Sequence, residues 1–363
     1  MIVSNMTLVL CLFLIFSGMF LNYSNIGVQL FDRKTYNLSK IYLIIMMLCL
    51  FFLSGIRGDF TTDYINYDWL YQKGYPSKGI FELLREREFG FALINKLTYS
   101  VNSNTVALML VVSAMTILCY YKIFEKFSKD YLISLVMMIV LDNYFISFNL
   151  MRNILACALF LLSSKLIINK KLPQYIISVF LISTIHKTAV LMLPMYWILR
   201  FDFRIKKQQA FPLICILGSV MFMCFFNEIV FFVQRLIGYN WDENGYGVGQ
   251  GSIGSLIKTL FLFILVLLLM KKNNYSNIKE RIWFNGCVFN VIFQFCSYRL
   301  FMMQRVGFYF SGFFLLLIPL LITKKKGKKR KLWKYVFVGF CILYAAFFRR
   351  DTIYYTFWNN KII

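Results

Sequence analysis

The chain has 363 residues, 60% of them hydrophobic, with a mean hydropathy of +0.65 and a formal net charge of +24. An apolar share this far above the roughly one-half of a soluble domain excludes a water-soluble globular protein, and apolar runs of spanning length from end to end read as a polytopic, all-α integral membrane protein. The positive charge is not accompanied by any nucleic-acid-binding motif, so nucleic acid is set aside as a partner; basic cytoplasmic loops against an anionic lipid bilayer account for it.

The first apolar segment, 4–22, follows a start without a positive n-region and precedes no small-x-small cleavage site, which predicts a retained helix rather than a cleaved signal. Further segments follow at 40–56, 104–121, 131–149, 153–169, 173–185, 188–199, 211–233, 255–270, 282–298, 303–322 and 335–348. Together they predict a bundle of eleven or twelve transmembrane helices within one polytopic domain, 1–363, with short outer-face loops. The longest extramembrane stretch, 57–103, opens with turn residues and acids and then offers an amphipathic piece around Phe89–Leu97 suited to a membrane surface. The pair 173–185 and 188–199 is short and parted by His186-Lys187; two half-helices, a re-entrant hairpin or one long helix all fit it. The nine cysteines lie within apolar segments, with no CxxC and no Cys/His cluster, so they read as small buried hydrophobes and no metal site or cofactor is expected.

Charge orients these segments. The loops 22–40, 122–130, 165–172, 200–210, 271–281 and 323–334 hold 25 Lys/Arg against 5 Asp/Glu. The run from Lys324 to Lys331 in the last of them marks that face as cytoplasmic. A single long helix over 173–199 would put the basic loops 165–172 and 200–210 on opposite sides, so the charge pattern favours a hairpin there. It also places 57–103, 234–254 and both termini outside.

Several cationic groups then fall at outer helix ends, where the rule for positive charge disfavours them and where a functional site explains them. Arg57, flanked by glycines, precedes Asp59, Asp63, Tyr64 and Tyr67; the acids are a helical turn apart, and tyrosine faces suit sugar rings. Glu88 stands beside Phe89-Gly90-Phe91. Arg152 begins a helix after Phe148-Asn149, and free N–H groups at a helix start add to an arginine's attraction for anions. His186, the only histidine of the chain, adjoins Lys187 and can bind phosphate or manage a proton. Arg299 and Arg305 bracket another outer turn, with Tyr309 beyond. Asp142 is placed in the outer half of its segment as a partner for an arginine. Tyr239, Trp241 and Tyr246 in the glycine-rich 234–254 suggest a mobile covering loop. The bland alternatives are interfacial arginines, solvated charge runs and an aromatic belt. The sum points to an outward-facing site for a large anionic ligand that also has a lipid part.

These residues resemble a known pattern. Arg57-Gly58-Asp59 with Asp63-Tyr64 and Asn66-Tyr67, then Glu88-Phe89-Gly90-Phe91, Phe148-Asn149 with Arg152 and Ala156, His186-Lys187-Thr188-Ala189 with Pro194 and Tyr196, and finally Arg305 and Tyr309 resemble the EpsG/Wzy-type family of bacterial polysaccharide polymerases. The order is that of the family over about residues 40–310; Asn153 departs from it, where the family often has glutamine. The resemblance implies a GT-C-like glycosyltransferase of the bacterial inner membrane that joins oligosaccharide repeat units on its outer face. Donor and acceptor would both be carried on undecaprenyl diphosphate, and a chain-length regulator is left open as a further partner. Taken with the outer-face reading of the residues, it makes Arg57, Arg152, Lys187, Arg299 and Arg305 candidates for the diphosphate and Tyr64, Tyr67, Trp241 and Tyr309 candidates for sugars, with a base among Asp59, Asp63, Glu88 and His186, Asp59 or Asp63 slightly ahead for standing beside Arg57. A flippase for lipid-linked sugars would spread polar groups through the midplane and to both faces. A ligase-like transferase would share the donor and differ in acceptor.

Overall fold

The computed structural model describes residues 38–57, 63–141, 143–202, 210–228, 253–270 and 277–347, together with Phe13 and the short strands β1 (Val28–Gln29) and β2 (Thr35–Tyr36), an antiparallel pair in which Val28 faces Tyr36. All other described regular structure is helical. The helices are α1 (Leu38–Gly55), α2 (Tyr64–Trp69, continued by a π-turn over Leu70–Gly74), α3 (Ile80–Leu84), α4 (Phe89–Val101), α5 (Thr105–Phe127), α6 (Tyr131–Val140) and α7 (Met151–Ile168). After them come α8 (Leu172–Ser183), α9 (Met195–Ile198), α10 (Ala210–Cys224), α11 (Ile253–Leu269), α12 (Ile278–Ser297), α13 (Met302–Thr323) and α14 (Gly327–Phe347). The expected segment 4–22 apart from Phe13, the loop residues 234–252 with Trp241, and both Asp59 and Asp142 lie outside the described residues.

Polar side chains start several of these helices. Asn104 accepts from the amide of Val106 at 2.9 Å to begin α5, and Asn277 accepts from Glu280 at 3.0 Å to begin α12; each satisfies a donor that the helix itself leaves free. Pro173, in the first turn of α8, lacks the N–H that would go unbonded there.

Three described helices, α5, α7 and α13, are long and apolar enough to cross a membrane by length and composition. The expected bundle of eleven or twelve transmembrane helices, with a possible re-entrant hairpin at 173–199, is interrupted at two places. Segment 131–149 is not one helix: α6 ends at Val140, and Phe145–Phe148 forms a separate 3-10 turn. Irregular backbone at membrane depth survives only where protein covers it, and Asn143, Tyr144, Phe145 and Phe148 are all buried, with the Tyr144 hydroxyl donating to the carbonyl of Leu50 on α1 at 2.8 Å. Segment 188–199 is likewise a 3-10 turn, Lys187–Met192, followed by the single turn of α9.

The chain turns back at His186. The Tyr175 hydroxyl of α8 donates to the carbonyl of Met192 on the return leg at 2.5 Å, and Asn285 of α12 donates to the carbonyls of Leu199 and Phe201, both at 3.0 Å. Arg200 reaches the Ile167 carbonyl at the end of α7 at 2.8 Å, so the hairpin ends where it began. A single long helix is excluded.

Around α13, the most enclosed of these spans, α6, α7, α11 and α12 pack closely. Gly286 of α12 lets the Phe313 ring lie against the backbone, and Gly312 does the same for Leu161 of α7; an added Cβ would stand 2.1 Å and 2.5 Å from those neighbours. At one end of the bundle Lys40 pairs with Glu125, Lys334 with Asp130, Lys324 with Glu280, and Arg281 with Asp202. All eight belong to the loops and helix ends that the charge pattern assigns to the basic face.

Overfilling a packed core costs about 1–3 kcal/mol. Gly286→Ala should therefore lower the Tm of the purified protein, measured in detergent. Gly339→Ala on α14, where an added Cβ meets nothing within 4 Å, should leave it unchanged or raise it. Equal melting of the two variants would contradict the close α12–α13 contact.

Candidate functional site

At the opposite end of the bundle, α4 meets α8 head to tail. The first turn of a helix has unbonded N–H groups and the last turn unbonded carbonyls; here Gly90 and Phe91 both donate to the carbonyl of Thr184, at 2.9 and 3.2 Å. Gly90 has no side chain to obstruct this, whereas a Cβ would fall 2.2 Å from Thr184 Oγ1. The joint brings Glu88, just before α4, against His186, just after α8.

Glu88 is the hub. Its Oε1 lies 2.8 Å from His186 Nδ1 and accepts from the Lys187 amide at 3.1 Å, while its Oε2 accepts from Arg152 Nη1 at 2.5 Å. The side chains of Glu88 and His186 are only 11% and 10% exposed, and that of Arg152 is 31% exposed. Burial alone would push the Glu88 carboxyl up. The His186 hydrogen bond, the Arg152 charge and the Lys187 amide outweigh it and hold the group below its ordinary range. An ionised carboxylate only accepts, so His186 Nδ1 is the donor. In the neutral ring Nε2 then carries the free lone pair, and this atom is buried with no hydrogen-bond partner.

Arg152 is also held by two rings. Its guanidinium lies 5.4 Å from the centre of the Tyr67 ring and 5.3 Å from that of Phe91, two neighbouring rings whose centres are 6.0 Å apart, and both contacts are of cation–π kind. Burial pushes the Tyr67 hydroxyl up, against the pull of the Arg152 charge. Behind His186, Thr188 Oγ1 and the Tyr309 hydroxyl are 3.2 Å apart, and Asn153 reaches the carbonyl of Arg305 at 3.4 Å, tying the start of α7 to the start of α13. Arg305 Nε is buried without a hydrogen-bond partner.

Of the residues singled out in the sequence, Glu88, Arg152, His186 and Lys187 thus come together, with Tyr67 and Tyr309 adjoining and Arg305 reached through Asn153. Several others take different places. Arg57 is 2% exposed; its Nη1 donates to the Ser54 carbonyl at 2.5 Å and to Ser113 Oγ at 3.4 Å, its Nη2 lies 3.5 Å from Met151 Sδ, and it stands 5.3 Å from the Phe148 ring centre. It joins α1, α5 and α7 one residue away from Arg152 and is enclosed, not offered to a diphosphate. Asp63 caps the approach to α2 and donates its amide to Asn149 Oδ1 at 2.9 Å. Tyr67 and Tyr309 are 3% and 0% exposed, with one ring beside Arg152 and the other edge-on to Phe160, so neither presents the open face a sugar would stack on. Tyr64 is half-buried at the edge of the cluster around Tyr67, and Arg299 is half-buried in the turn before α13.

Thr184, Asn149, Thr188 and the cation–π role of Phe91 were not assigned from the sequence. Gly90 was the available signal for the α4–α8 joint, since a glycine in the first turn of a helix invites a close backbone approach.

A carboxylate held below its ordinary value of 4.5 stabilises the fold above that pH, and the contribution is lost as pH falls through the lowered value. The difference in Tm between wild type and Glu88→Gln should therefore stay level above about pH 4.5 and shrink in more acidic buffer. A difference independent of pH would contradict the ion-paired carboxylate.

Neither a curated relative nor a solved structure matches the chain. A family model described as the EpsG family matches residues 40–363, a stretch that contains α2 to α14, all but the first two residues of α1 and every residue of the Glu88 cluster. Membership in that family suggests a function of polysaccharide-polymerase type. On that match, the chain belongs to the EpsG family.

Proposed function

We propose that this protein is a polysaccharide polymerase of GT-C-like kind, joining oligosaccharide repeat units carried on undecaprenyl diphosphate at the outer face of the bacterial inner membrane. The observation that carries the reading is the buried, unpartnered Nε2 of His186 on a ring oriented by an ionised Glu88. That is the arrangement a hydroxyl nucleophile requires: a base with a fixed tautomer and a lone pair aimed at one place.

In the proposed step, a hydroxyl of the acceptor sugar gives its proton to His186 Nε2 and its oxygen attacks the anomeric carbon of the donor. A new glycosidic C–O bond forms, the bond from the anomeric carbon to the diphosphate oxygen breaks, and lipid diphosphate leaves with the electron pair. Glu88 stabilises the resulting imidazolium through Nδ1. Both of its oxygens are engaged by His186, Lys187 and Arg152, so it acts through the histidine and not as the attacking group. The partly exposed Arg152 fork, the exposed Lys187 side chain and Arg305 at the start of α13 are the cations proposed to meet the developing diphosphate charge. Among the acids considered for the base, this reading favours the Glu88–His186 pair over Asp63, whose amide is tied to Asn149 and which is not among the groups on Glu88.

A flippase reading draws less support, because the clustered titratable groups of this site sit at one end of the bundle. The test is a deletion strain complemented with wild type or with His186→Ala, with surface glycan run on a gel. Wild type should restore a ladder, and the variant should leave a single repeat unit on the final acceptor at unchanged protein level. A full ladder from His186→Ala would overturn the assigned base, and loss of all surface glycan in the deletion strain would favour a flippase or ligase.

A further inference from the structure

The segment that carries Glu88 has two apolar faces. One packs inward: Tyr71, Leu83 and Phe91 are buried against α5 and α7, in a small core separate from the main one. The other is uncovered. Leu93, Leu97 and Val101 recur every four residues along α4 and are 43%, 59% and 87% exposed; Ile80 and Phe81 of α3 are 67% and 83% exposed, and Trp69 of α2 is 57% exposed.

An apolar face of this extent exceeds the scattered exposed hydrophobes of a water-facing surface. Its surroundings identify what covers it. Exposed Lys73, in the π-turn after α2, and exposed Arg85 and Arg87, in the turn between α3 and α4, flank these helices, and exposed Trp69 ends α2. Apolar helix faces flanked by basic residues and a tryptophan are the pattern of helices lying in a bilayer interface. The face also runs into a span: within one turn of Val101 the chain enters α5, whose Val111 and Leu118 are likewise exposed, at 36% and 55%.

We propose that α2, α3 and α4 lie in the interfacial layer of the outer leaflet with this face on lipid acyl chains, and that Glu88, between α3 and α4, takes its position from that contact. The structure gives the segment two supports, the α5–α7 core on one side and lipid on the other. The occupant is the bilayer itself and not a protein partner.

The test uses the full chain, purified and reconstituted in phospholipid vesicles with a membrane-impermeant maleimide present on both sides. Phe81→Cys, Leu97→Cys and Arg87→Cys are compared, with the wild-type cysteines as background. All three positions are exposed, so none of the changes disturbs the core. Arg87→Cys should label quickly, while Phe81→Cys and Leu97→Cys should label at least about tenfold more slowly until detergent dissolves the bilayer, when the rates converge. Equal rates in intact vesicles overturn the proposal. Protection in native membranes that disappears in vesicles of the purified protein also overturns it, by showing a protein partner in place of lipid. Because no catalytic readout is involved, failure here leaves the polymerase reading standing.

Discussion

A largely buried carboxylate is unfavourable unless its oxygens are satisfied, and Glu88 is satisfied by three groups from two other parts of the chain. Arg152 comes from the start of α7; His186 and the Lys187 amide come from the apex of the hairpin. One side chain therefore fixes the segment before α4, the start of α7 and the hairpin relative to one another. Without it, Arg152 would be left beside two aromatic rings without its carboxylate, and the histidine ring would lose the partner that sets its tautomer.

The backbone prepares this arrangement before any charge is considered. The free amides of the α4 start and the free carbonyl of the α8 end satisfy each other only if the two helices meet closely, which Gly90 permits. The hairpin leg is short and turns back at His186. The histidine thereby sits at the far tip of an element whose two ends are anchored by Asn285 and Arg200 near the basic face. Rigid elements then hold His186 and Glu88, which is what the proposed proton transfer at a defined atom demands.

Much of this was legible in the sequence, for physical reasons. Long apolar runs bounded by polar residues defined α1, α7, α12 and α13 to within four residues and the start of α5, whose last six residues lay beyond its run, because helices that pack within a bilayer are apolar along most of their length. The basic loops distinguished a hairpin from one long helix over 173–199. Arg152 and His186 were visible as charge at an improbable place, and Glu88 by its position beside Phe89-Gly90-Phe91. Hydropathy could not show the break after Val140, where Asn143, Tyr144 and Ser147 supply side-chain hydrogen bonds that compete with helix within an apolar stretch. It also could not distinguish a partly exposed cation from one that packs three helices together. Arg57 and Arg152 look alike in sequence, yet only burial and partners separate them. Tyr309 similarly lies in an apolar run where its ring is core and only its hydroxyl approaches the site.

The account stands most directly on the rate of glycosidic bond formation by the purified protein in vesicles, supplied with an oligosaccharide on undecaprenyl diphosphate and followed by release of lipid diphosphate. With Glu88→Gln, kcat should fall by roughly 10²-fold or more, the scale of a lost general-base contribution, while KM changes little. A Glu88→Gln protein that turns over at the wild-type rate would contradict the Glu88–His186 pair as the centre of the reaction.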